Sequence, residues 1–234
     1  MAHLRLDYFL VDVSTDPKTG KNLKALKPNW KDLWNGIAQQ AGPMLGNGTL
    51  EGFFLGDELV CHGIPNEDLH HLADTVKNTF PNAFVWANEC HKTPCDDSFT
   101  LPTGLDAFSV DMYHFDGKET DWVRTNVKQL YQTCIYPKLK DHQHVLVVPG
   151  SYGSNINPKC NMACYVDMLS YDIQQYTEWA KNDEKVSTAH RDPLFTTWRL
   201  LHLFFFFFFF FFFFFSLTVI PARNLIRRSS PSPP

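Results

Sequence analysis

The chain has 234 residues, 44% of them hydrophobic and 20% charged, enough for one α/β domain with a sizeable core and a tail. Its formal charge of −4 and pI near 6.2, with Lys and Arg scattered along the chain, provide no basic field for a phosphate backbone. Nucleic acid is therefore excluded from the expected partners.

Tyr8-Phe9-Leu10-Val11-Asp12 is a short apolar run ending in an acid and predicts a strand, followed by a turn-rich stretch from Ser14 to Pro28. Trp30, Leu33, Trp34, Ile37 and Ala38 recur at helical spacing, with Asn29 placed as the cap. Gly52-Phe53-Phe54-Leu55-Gly56 predicts a strand, and Leu69, Leu72, Ala73 and Val76 mark a helix opened by Pro65-Asn66. Ala83-Phe84-Val85-Trp86-Ala87 and Phe108-Ser109-Val110-Asp111-Met112 are further strands, joined by a loop containing Pro94 and Pro102. Val123, Val127, Leu130 and Cys134 share one helix face ahead of the strand His144-Val145-Leu146-Val147-Val148, and Leu169, Ile173, Tyr176 and Ala180 mark a last helix. Parallel strands are thus expected near residues 6–12, 52–57, 83–88, 107–112 and 144–149, covered by helices.

Six cysteines, Cys61, Cys90, Cys95, Cys134, Cys160 and Cys164, are compatible with disulfides, a metal site or ordinary thiols. Asn47-Gly48-Thr49 is a glycosylation sequon on a predicted loop and favours an extracellular ancestry. Met1 to Asp7 has no apolar core of signal-peptide length and meets an acid at once, so either the chain is cytosolic or its true start is missing. The histidines His62, His70, His71, His91 and His114 have no recognised zinc spacing, and Cys160 to Cys164 lacks a second cysteine pair of the usual type. No metal and no cofactor are expected.

Alternating strands and helices fit an open doubly wound sheet or part of an eight-stranded barrel. No strand is followed by the Gly-rich phosphate fingerprint of dinucleotide folds. Asp12, Asp57, Glu58, Glu89 and Asp111 all fall at the carboxyl ends of predicted strands, where a barrel assembles its chemistry. The expected fold is therefore α/β, a partial (β/α)8 TIM-like barrel with parallel strands over residues 1–187. An unrelated hydrophobic tail over residues 188–234 follows it.

Phe54-Leu55-Gly56-Asp57-Glu58-Leu59, Trp86-Ala87-Asn88-Glu89, Leu105 to Tyr113 and Val147-Val148-Pro149-Gly150 resemble glycoside-hydrolase-type (β/α)8 barrels over about residues 5 to 186. The resemblance implies that the five strands are the third to seventh of eight, that the chain is truncated at both ends, and that its ligand is a carbohydrate. In the large retaining group with an Asn-Glu acid/base, the second carboxylate comes three strands later. Here the last strand ends in Pro149-Gly150-Ser151-Tyr152 without an acid, so the partner carboxylate has to be found locally.

Carboxylate chemistry also follows from the residues themselves. Alternate strand residues share a face, so Val85, Ala87 and Glu89 point together, as do Ser109, Asp111 and Tyr113. If both rows line the interior, Glu58, Glu89 and Asp111 crowd at its mouth and raise at least one pKa, which yields a general acid beside an ionised base or nucleophile. Glu89 is the expected general acid, with Glu58 or Asp111 as its partner. Asp57, Asn88, Tyr113, His114, Tyr152 and Asp12 are expected to contact substrate. The plainer alternative is that such acids cap helices or bind a loop arginine.

From Leu200 to Ile220 the chain is almost wholly apolar, with an unbroken Phe run from Phe204 to Phe215. At ~1.5 Å per residue a helix there spans a bilayer, which implies membrane association. The competing origin is intron-like sequence translated where a further strand is due. Two function classes stay open: a carbohydrate-acting hydrolase, and a non-catalytic or membrane-tethered barrel fragment that at most binds glycans.

Overall fold

The computed structural model describes residues 2–112, 122–148 and 162–186, all within one compact unit, Met1–Thr188. Its centre is a five-stranded parallel sheet. Strand β1 is His3–Arg5, β4 is Gly52–Asp57, β5 is Phe84–Cys90, β6 is Ala107–Asp111 and β7 is His144–Val145, in the spatial order β1-β4-β5-β6-β7. Every neighbouring pair is parallel, and Val186 makes a parallel bridge to Val145 on the far side of β7. The architecture is mixed α/β with a mostly parallel sheet, as the alternation of apolar runs and helical stripes implied.

The first strand is a correction. The parallel strand is His3–Arg5, not the run from Tyr8 to Asp12, and it is followed by a helical turn α1 (Asp7–Leu10). Leu6 and Leu10 are fully buried while Tyr8 is 72% and Phe9 47% exposed. That spacing of four is the period of a helix, not of a strand. Arg5 completes the turn by donating to both Asp7 oxygens, Nε to Oδ1 at 2.6 Å and Nη2 to Oδ2 at 2.8 Å. The chain then leaves the sheet in an antiparallel hairpin, β2 (Val11–Thr15) with β3 (Asn22–Leu26), which runs into the stretch from Ser14 to Pro28 read as turn-rich.

Helix α2 (Trp30–Gly46) and helix α3 (Asn66–Thr79) follow. Leu69, Leu72, Ala73 and Val76 of α3 are all buried, as their spacing predicts. The next helical stretch is wound as π-helix over Val123–Val127 and Tyr131–Ile135, with one α turn, α4 (Lys128–Leu130), between them. Its buried row is Val123, Val127, Tyr131 and Ile135, a spacing of four throughout that suits the wider winding. Cys134, expected on that face, instead reaches Cys95. Helix α5 (Met162–Asn182) closes the described part and buries Tyr176, Trp179 and Ala180.

The helices lie over one face of the sheet. Phe53 of β4 meets Trp34 of α2 edge-on and stacks on Phe80 at the end of α3. In register with Phe53 is Val85, then by alternation Ala87 and Glu89, paired with Phe108 and Val110 of β6. The Tyr131 hydroxyl accepts from Val110 N at 3.0 Å and donates to Leu146 O at 2.9 Å, and its ring packs edge-on against Trp179 of α5. The opposite face carries Arg5, Phe54, Trp86, Asn88, Ser109 and Asp111. Backbone approach fixes Gly52, since a Cβ there would lie 1.9 Å from Phe84 O.

Among the described residues no helix is long and apolar enough to cross a membrane. The apolar segment 200–220 lies outside them.

Candidate functional site

The carboxyl ends of β4, β5 and β6 bring four acids together. Between Phe54 and Asp57 the register of β4 against β5 shifts, and the bulge passes Gly56 so close to Asp7 that a Cβ would sit 2.8 Å from Asp7 Cβ. The extra residue re-aims the strand end, as bulges do. Asp57 comes level with Asn88, whose Nδ2 donates to Asp57 Oδ1 at 2.8 Å. Ser109 Oγ in turn donates to Asn88 Oδ1 at 2.7 Å. Asp57, Asn88 and Ser109 thus form one relay across three strands on the face that no described helix covers, and Asp111 lies two residues further along that face.

Glu58 follows the bulge in left-handed backbone, with φ of 48°, a conformation costly for a residue with a Cβ. Its N donates to Asn88 O at 2.8 Å, and its Oε2 lies 3.5 Å from His62 Nδ1. Burial raises its pKa above the usual carboxylate value, and the charges of Asp57 and Asp111 push the same way against His62 and Lys24.

Glu89 has no solvent exposure. Its Oε1 accepts from Val60 N at 2.8 Å and its Oε2 from Cys61 N at 3.1 Å, so both oxygens hold the turn after β4. Burial pushes its pKa up to about 7; those two backbone donors and Lys24 oppose the shift, and the Glu58 charge adds to it. A disulfide between Cys61 and Cys90 fastens the same turn to the end of β5, and a second joins Cys95 to Cys134.

Two rows expected to share the interior lie on opposite faces. Glu89 is in register with Val110, and Asp111 with Cys90. Val85, Ala87 and Glu89 face the helices, whereas Ser109 and Asp111 share the other face with Trp86. Glu58 and Asp111 do sense each other's charge, and so do Glu58 and Glu89. Asp12 is set apart: it is exposed in β2, opposite Ala25, on the other side of the ribbon from Lys24. It belongs to the hairpin and not to the end of a parallel strand. Tyr113, His114 and Tyr152 lie outside the described residues.

The sequence reading missed Lys24, whose Nζ donates to the Asp57 carbonyl and whose charge lowers the pKa of both Glu58 and Glu89. Nothing in a turn-rich stretch marks it. Ser109 was placed on the right face but given no role. Arg5 was also missed; its guanidinium lies 4.4 Å from the Tyr8 ring centre and 5.4 Å from that of Phe54, and Phe54 stacks on Trp86 at 4.1 Å. A cation and three aromatic rings therefore run beside the acids. Among the described residues no group of three His, Cys, Asp or Glu is arranged to hold a metal ion.

A carboxyl held protonated toward neutral pH beside ionised carboxylates is a donor and acceptor pair for acid/base chemistry. Comparison with known proteins adds nothing to this: no family model matches the chain, and no curated protein matches it.

Proposed function

We propose that the sheet is part of a (β/α)8 barrel and that its carboxyl edge is the active site of a glycoside-hydrolase-like enzyme acting on a carbohydrate. The helices cover one face of the described sheet, as around a barrel, where a doubly wound sheet needs helices on both faces. The observation that carries the reading is the convergence of Asp57 and Glu58 at the end of β4 with Asp111 at the end of β6, one strand apart across β5, where burial and the charges of Asp57 and Asp111 raise the Glu58 pKa. Glu58 then donates a proton to the leaving oxygen, and Asp111 serves as ionised base or nucleophile, the separation of the pair deciding between inversion and retention. Glu89, the general acid expected from the sequence, has both oxygens committed to backbone donors and acts as a positioning residue for the turn that carries Glu58. Phe54 and Trp86, stacked and partly exposed, offer aromatic faces for a sugar ring.

Hydrolysis of a chromogenic glycoside panel by the full chain tests this. Turnover is expected for the wild type, with a loss of roughly 10²- to 10⁴-fold in Glu58→Gln and a comparable loss in Asp111→Asn. Undiminished rates in both variants remove the assignment.

A second reading, a non-catalytic fragment that binds glycans, is favoured by the structural use of both Glu89 oxygens. Membrane tethering in that reading would fall to residues 200–220. Glycan binding by a folded wild type that cleaves none of the panel selects it.

A further inference from the structure

We propose that Asn47 carries an N-linked glycan. Asn47-Gly48-Thr49 is the only Asn-X-Ser/Thr sequence in the chain, and the three residues are exposed in the turn that ends α2. Gly48 takes a left-handed φ of 75°, which its lack of a Cβ permits. The turn is anchored from inside by Gly48 N to Leu45 O at 3.2 Å and Leu50 N to Met44 O at 3.0 Å, with Leu50 buried beneath it. The sequon is therefore displayed on a fixed turn.

Within the turn, Thr49 N donates to Asn47 Oδ1 at 2.9 Å. That bond commits the carboxamide oxygen inward, while Asn47 Nδ2 has no hydrogen-bond partner among the described residues. The nitrogen that must react is unengaged on an exposed residue. The reaction is a transfer from a polyprenyl-pyrophosphate oligosaccharide. Asn47 Nδ2 forms the bond to the anomeric carbon, that carbon's bond to the pyrophosphate oxygen breaks, and the nitrogen's proton passes to a base of the transferase. The Thr49 hydroxyl, also exposed, supplies the second recognition element of the sequon.

Two independent observations favour the modification. The disulfides Cys61–Cys90 and Cys95–Cys134 are bonds that form and persist in oxidising compartments, where such transferases work. Location also permits it. The sequon precedes the first residue of β4, whereas the acids begin at its last residue, Asp57, so a strand of six residues, ~20 Å at about 3.3 Å per residue, separates glycan from candidate site. A bulky glycan there leaves the carboxyl edge of the sheet open. The inference does not depend on what that edge does.

The test is expression of the full chain behind a cleavable secretion leader in yeast or mammalian cells, reading the lumenal fraction. A single upward step in mobility is expected, removed by peptide-N-glycosidase, with the released peptide carrying Asp in place of Asn at position 47. Asn47→Gln and Thr49→Ala should abolish the step, and Thr49→Ser should retain it. A lumenal chain with both disulfides formed and the Asn47 peptide unmodified overturns the proposal. So does a mobility step that persists in Asn47→Gln.

Discussion

The two faces of the parallel sheet are made by alternate residues of the same strands, yet they do different work. On the helix side, Phe53, Val85, Ala87, Phe108 and Val110 are closed off from water, and the only acid in the row, Glu89, is held there by two backbone donors. On the other side, Phe54 and Trp86 stack while still partly exposed, and the row continues into the relay of Asp57, Asn88 and Ser109. Helix packing consumes one face entirely. Polar groups therefore collect on the face it leaves, and the exception shows its cost as a pKa raised to about 7.

The largest difference should appear between neighbours. Phe53→Ala removes a fully buried ring between Trp34 and Phe80 and is expected to cost about 3–5 kcal/mol. Phe54→Ala removes a partly exposed ring stacked on Trp86 and is expected to cost about 1–2 kcal/mol, mainly lost stacking and partial burial. Urea unfolding of the two variants compares them directly. Equal costs would mean that both faces are packed alike.

Next come the disulfides. Replacing both cysteines of either bridge by Ser should cost about 2–4 kcal/mol. The bridges span 29 and 39 residues, so chain entropy predicts a difference between them of only about 0.3 kcal/mol. Cys61, however, also supplies a backbone donor to Glu89. Losing Cys61–Cys90 should therefore impair the proposed glycoside turnover, while losing Cys95–Cys134, which supplies no donor to Glu89, should affect stability alone. Equal effects on turnover would detach that bridge from the site.

Much of this comparison was legible in the residues, though not which face was which. The strand over 52–57 was placed by its apolar run, and α3 by the spacing of Leu69, Leu72, Ala73 and Val76. Apolar runs such as Phe84-Val85-Trp86-Ala87 are hydrophobic at both parities, so alternation cannot say which set meets the helices. Trp86 was for that reason assigned away from the acids' face, and Glu89 toward it. The bulge at Gly56 compounds the problem, because one extra residue inverts the parity of everything after it. Disulfide pairing was illegible on other grounds. Six cysteines pair in roughly 15 ways, and the close neighbours Cys90 and Cys95 each bond to a distant partner brought in by the sheet.

The buried acid makes a pH-dependent prediction. The folded pKa of Glu89, about 7, exceeds its ordinary 4.5, so the folded state binds the proton more tightly than the unfolded chain does. Its contribution to stability is complete below pH 4.5 and is lost as pH rises through 7. Relative to Glu89→Gln, which stays neutral, the wild type should lose up to about 1.4 kcal/mol per pH unit across that window and change little above it. Unfolding curves at intervals from pH 4.5 to 8 measure this. A constant difference would show that the two backbone donors cancel the burial.

The smallest effect is expected at Glu58, where the two faces meet at the end of the bulge. Left-handed backbone costs a residue with a Cβ about 1 kcal/mol, and glycine is free of most of that cost. Glu58→Gly and Glu58→Gln both remove the charge beside Asp57, Asp111 and Glu89, while Gln keeps a side chain that can still reach His62. Their difference therefore reads the backbone strain less that retained contact. Glu58→Gly should be the more stable by up to about 1 kcal/mol, less the greater entropy glycine gains in the unfolded chain, and both should lose turnover. If the Gln variant is equally stable, the seat carries no strain. If the Gly variant is the more stable and both are inactive, Glu58 occupies a position unfavourable to folding that its carboxylate chemistry requires.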